Sequence, residues 1–89
     1  MAGSDYRLFL EIEVSEFVRS RKRREQEQLL SKFREIAAFP TAHVDYFKSD
    51  QIGRQLGVHV SGTFAIKFWE DVADQHLKII EITPADRAG

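Results

Sequence analysis

The chain has 89 residues, 43% hydrophobic and 30% charged, with a formal net charge of −1. That length builds one domain, 1–89, with a modest core and not two, and the composition is that of a folded chain. Without cysteine, disulfides and thiolate zinc sites are excluded. The near-balanced charge announces no nucleic-acid binder, so such an activity has to come from local basic clusters. No charged-then-apolar leader and no apolar run of membrane-spanning length is present, which points to a cytoplasmic protein with no membrane partner.

Tyr6 to Val14 alternates: Leu8, Leu10, Ile12 and Val14 fall on one side, with Arg7, Glu11 and Glu13 on the other. The period predicts a half-buried strand, with Ser15 as the cap of a following helix and Glu16 in its first turn. A helical stripe begins at Phe17 and Val18, lapses through Arg19–Gln28, and resumes at Leu29, Leu30, Phe33, Ile36 and Ala37. Two readings fit: a short helix turning near Ser20–Arg24 into a longer one, or one helix with an exposed middle, the first being preferred. Pro40 closes the helical region.

Val44–Phe47 reads as a short edge strand and Lys48-Ser49-Asp50 as a turn. Strands follow at about 53–60, 63–70 and 76–83, joined by turns at Ser61-Gly62 and Val72–Gln75. The most continuously apolar run, Leu77–Ile82, is expected to be central and covered on both faces. An exposed edge at 53–60 would permit pairing with a second chain. The class is α+β, in the order β-α(α)-β-β-β, with an antiparallel-rich sheet and a helical hairpin on one face.

This order, with Phe39-Pro40 closing the helices, Gly62-Thr63-Phe64-Ala65-Ile66-Lys67-Phe68 in the hairpin, Ile80-Glu81-Ile82 in the last strand and Ala85-Asp86-Arg87 after it, resembles the RelE/ParE toxin superfamily of type II toxin–antitoxin systems. The resemblance spans residues 6–87. It implies a toxin held silent by a cognate antitoxin protein. Some relatives cut messenger RNA on the ribosome, and others poison DNA gyrase. Ala65 stands where the family usually has arginine, and the chain ends at Gly89, short of a segment that several nucleases use. A catalytically silent binding module on the same fold is therefore the alternative.

Metal-free RNA cleavage by 2′-hydroxyl attack needs a base, cations for the developing phosphorane charge, and a proton donor for the leaving oxygen. Arg54, His59, Lys67 and Arg87 are the candidate catalytic groups, with Glu81 a base if it shares their face. Alternation allows one face for His59 and Lys67. The same residues also fit the wet face of any half-exposed sheet.

Arg21, Lys22, Arg23 and Arg24 are candidate nucleic-acid contacts, or else a solvated helix bend offset by Glu25 and Glu27. Trp69, with Tyr46 and Phe47, suits either base stacking or, preferably, an antitoxin segment. His43 and Asp45 supply two metal ligands without a third at sensible spacing. No metal and no cofactor are expected.

Overall fold

The structure, a computed structural model, describes residues 6–85; the candidate Arg87 lies outside them. The order is β1 Arg7–Leu10, α1 Ile12–Arg19, α2 Arg23–Ala38, a 3-10 turn at Thr41–His43, β2 Tyr46–Ser49, β3 Gln55–Ser61, β4 Phe64–Asp71 and β5 His76–Pro84. The strands form one mixed sheet in the order β1-β5-β4-β3-β2, with β1 parallel to β5 and the other pairs antiparallel. Four strands follow the helices where the main order expected three. The edge positions fall to β1 and β2, so the expected exposed edge at 53–60 is instead paired on both sides. Among the described residues no helix is long and apolar enough to cross a membrane.

The opening strand is shorter than its alternation predicts. Val14 and Val18, four residues apart, are buried on one face of α1, while Ile12 is 70% exposed. A helix beginning at Ile12 serves the two valines; a continued strand would have turned Ile12 inward. Glu11 takes the cap position and Ser15 lies inside the helix, its N–H donating to the Glu11 carbonyl at 3.0 Å.

The helical region is two helices. Ser20 Oγ donates to the Phe17 carbonyl at 2.6 Å, and the Gln26 amide donates to the carbonyls of Arg19 and Arg21 at 3.2 and 3.0 Å. These bonds occupy carbonyls that a continuous helix would have bonded itself, and so close the bend.

Both helices lie on one face of the sheet. Phe33 and Ile36 of α2 are fully buried, in one core with Val14 and Val18 of α1, Ile66 and Phe68 of β4, and Leu77 and Ile79 of β5. The Leu77–Ile82 run is interior but covered on the helix side alone. Phe68 pairs with Ile79 and Lys67 with Glu81, leaving Ile80 as the extra residue of a β-bulge. The extra apolar residue gives the run its unbroken appearance and returns Ile82 to the helix side, where it packs on the core.

Phe68 also crosses Gly57, its partner on β3. A Cβ at Gly57 would stand 2.6 Å from the far end of the Phe68 ring, and that ring is only 2% exposed. Glycine is required there by space, not by backbone freedom. Gly57→Ala is expected to destabilise the fold by about 1–3 kcal/mol through overpacking, read as a lower midpoint in urea denaturation with the slope unchanged.

Candidate catalytic face and nucleic-acid interface

The helices leave the other face of the sheet bare, and hairpin register decides what stands on it. Cross-strand partners share a face. Val58 pairs with Lys67 and Lys67 with Glu81, so these three stand together on the open face. Trp69 pairs with Lys78 on the same side.

Lys67 Nζ donates to Glu81 Oε1 at 2.9 Å; the lysine side chain is 13% exposed and the glutamate 52%. The lysine stem thus lies along the sheet beside Val58 while its head meets a carboxylate open to solvent. The Trp69 ring has Arg54 Cζ 4.9 Å and Lys78 Nζ 5.2 Å from its centroid, an indole between two cations. Below the tryptophan and lysine, Val58 and Ala65 form a small second core with Tyr46 packed on them.

Asp50 holds Arg54 in place. Its Oδ1 accepts the N–H groups of Ile52 and Arg54 at 3.0 and 2.8 Å, and its Oδ2 accepts Arg54 Nε at 2.6 Å. Gly53, at φ +87°, completes this turn between β2 and β3. Burial raises the Asp50 carboxyl, but the Arg54 side chain and the two N–H groups outweigh it and hold the group below its ordinary range. Lys78 Nζ likewise lies 3.7 Å from Asp71 Oδ2.

The predicted constellation is therefore divided. Arg54 and Lys67 share the open face, and Glu81 joins them as the sequence reading required of a base. His59 does not. It pairs with Ile66, so it sits on the helix-side face near His43 and Asp45. Lys78 joins the cations of the open face although the sequence reading passed it over; its place opposite Trp69 follows from the turn at Val72–Gln75.

The aromatic platform is divided too. Tyr46 belongs to the open face, but Phe47 pairs with Gly57 on the helix side, where it is 57% exposed. Trp69 is half-buried under its two cations, not a free aromatic.

The basic run lies in the helix layer, away from Trp69 and Lys67. Arg21 Nε contacts Glu25 Oε1 at 3.1 Å and its guanidinium covers Phe17. Lys22 caps α2, and Arg23 and Arg24 open it, where positive charge opposes the helix dipole. Arg23 reaches Glu27 at 3.5 Å with both side chains largely in solvent. This is the arrangement of a charged bend.

A groove of about 320 Å³ between α2 and the Gly62 turn, bordered by Gln28, Lys32, Ser61 and Thr63, also lies on the helix side. Donor atoms of Asp71, Asp74 and His76 come within 4.8 Å of one another at the β4–β5 turn. There, however, Asp71 Oδ1 accepts the Asp74 N–H and the His76 ring stacks on Phe9 at 4.2 Å.

Tyr6 ties β1 to the strand beyond its neighbour: its hydroxyl donates to Glu70 Oε2 at 2.6 Å. That bond, with burial and the charges of Glu70 and Asp71, pushes the phenol up to about 12. A raised phenol pKa means a contribution to stability that is complete below the ordinary value near 10 and lost as pH rises through 12. Tyr6→Phe is expected to lower the melting temperature at neutral pH, and ultraviolet titration of the native chain should show a phenol ionising at about 12 that this variant lacks. Comparison with family models, with curated proteins and with solved structures gives no match for this chain.

Proposed function

We propose that the chain is a toxin of RelE/ParE-like architecture, acting as a metal-independent endoribonuclease on ribosome-presented messenger RNA through the open face of its sheet. One observation carries the reading: the Lys67–Glu81 pair and the cation-flanked Trp69 occupy the face the helices leave uncovered. A strand of RNA needs such a face, with cations for its phosphates.

In this reading Glu81 takes the proton of the 2′-hydroxyl. The oxygen attacks phosphorus, the bond to the 5′-oxygen breaks, and Lys67 protonates that leaving oxygen, giving a 2′,3′-cyclic phosphate and a free 5′-hydroxyl. Arg54 and Lys78 stand ready to stabilise the charge that develops on the phosphorane. The Lys67–Glu81 contact sets both groups in reach of one proton path, and the 52% exposure of Glu81 leaves it accessible to substrate. A cognate antitoxin that silences the protein would cover Trp69 and its neighbours.

A second reading is supported by the pairing of charges. Arg54, Lys67 and Lys78 each face a carboxylate, which suits a binding module that has kept this architecture without catalysis.

Induction of the chain alone in a bacterium should arrest growth and block translation, with supercoiling of DNA unaffected. A translating extract should yield cleaved messenger with cyclic phosphate ends, in the presence of chelator. Lys67→Ala and Glu81→Gln should each slow cleavage by about 100-fold or more while the chain stays folded, and His59→Gln should leave the rate unchanged. Arrest with altered supercoiling would redirect the proposal to gyrase. Folded protein with neither arrest nor cleavage would leave the binding module.

A further inference from the structure

Among the described residues the carboxylates that are buried or partly buried are Glu25, Asp50, Glu70 and Asp71. Glu25 lies against Arg21, Asp50 against Arg54, and Asp71 against Lys78. Glu70 has no such cation among the described residues; its Oε2 accepts the Tyr6 hydroxyl instead. A neutral phenol leaves the charge in place, and that charge is part of what pushes Tyr6 up. A carboxylate withdrawn from water without a counter-ion is costly to the fold. The imbalance points to a cation supplied from outside the domain.

Glu70 lines a groove of about 380 Å³ with Phe47 and Phe68. Register gathers the two rings on the helix-side face: Phe47 stands opposite Gly57, and Gly57 opposite Phe68. The Phe68 ring lies across Gly57, while Phe47 is 57% exposed. Thr41 and Gln55 also line the groove and bring a hydroxyl and an amide to it. Thr41 follows closely on the C-terminus of α2, where helix carbonyls carry partial negative charge, and the last turn of that helix has no basic residue. Arg54 and Lys78 belong to the opposite face, over Trp69.

We propose that this groove binds the guanidinium of an arginine presented by a protein partner. A guanidinium is planar, stacks on aromatic rings and donates in several directions. Glu70 Oε1, and the lone pair of Oε2 not used by Tyr6, can accept from it together, and the oxygens of Thr41 and Gln55 can take its remaining N–H groups. Lysine would bring a point charge without the plane, and an apolar side chain would leave Glu70 uncompensated. Phe47 belongs to the edge strand β2, so the groove reaches the edge of the sheet. There an extended segment can pair with β2 and set alternate side chains on the helix side. The groove lies across the sheet from Lys67 and Glu81 and stands apart from the proposed cleavage.

The test is calorimetric titration of the full chain with a capped, extended peptide carrying one central arginine, and with its lysine and citrulline counterparts. Saturable binding of the arginine peptide is expected, weakening as salt is added. Citrulline keeps the shape of the side chain and loses its charge, so its peptide should bind more weakly by about tenfold or more. Glu70→Gln should weaken the arginine peptide to a similar extent; glutamine still accepts the Tyr6 hydroxyl, so the fold is kept. Phe47→Ser removes an exposed ring and should weaken binding severalfold, while Glu27→Gln, at a largely solvated carboxylate, leaves it unchanged. Absence of saturable binding by folded protein would overturn the proposal. So would lysine or citrulline peptides that bind as tightly as arginine, or binding indifferent to Glu70→Gln. Circular dichroism establishes folding of each variant.

Discussion

The β3–β4 hairpin closes with Ser61 opposite Phe64, around a Gly62 at φ +60°, and that single pairing sets the parity of the strands on either side. In a sheet a shift of one residue would exchange the two faces. With this closure Ile66 and Phe68 meet the helices, His59 goes with them, and Lys67 and Trp69 are left on the open face. Gly57 is bound to the same choice, because only there does Phe68 find a partner without a side chain beneath its ring. Core and candidate site are two sides of one register.

The open face shows how a chain of net charge −1 can still concentrate cations. Arg54, Lys67 and Lys78 are fixed by Asp50, Glu81 and Asp71, so the positive groups are positioned by the very residues that cancel them in the total. In these partly buried pairs the loss of hydration offsets much of the attraction. Their effect is on direction: the side chains are held across the sheet instead of trailing into solvent. A phosphate approaching such a face competes with carboxylates, and affinity depends on how readily those partners give way.

Much of the architecture was legible locally. The hairpins show period-two alternation between turn residues, and the break between helices shows as a stretch from Arg19 to Gln28 without an apolar residue. The end of β1 was not legible, because Ile12 and Val14 satisfy the strand period while Val14 and Val18 satisfy the helical one, and only burial decides between them. Ile80 was misleading for a related reason: a bulge inserts a residue that alternation cannot account for. The site was readable by residue type but not by face. Arg54, Lys67 and Glu81 share the open face, whereas His59, expected beside Lys67, lies on the helix side, since its parity depends on the closure at Ser61 and Phe64.

β1, the first element of the domain, pairs in parallel with β5, the last. During synthesis the first strand leaves the ribosome with nothing to pair with, and the helices after it have no β4 or β5 against which to bury Phe33 and Ile36. The native core is closed by Leu77 and Ile79 of β5, which follow every other element in the chain. Contacts so distant in sequence slow folding, and an incomplete chain exposes the surface it will later bury. Until β5 has been made, β1 lacks its pairing partner and the two helices lack part of the sheet that buries them.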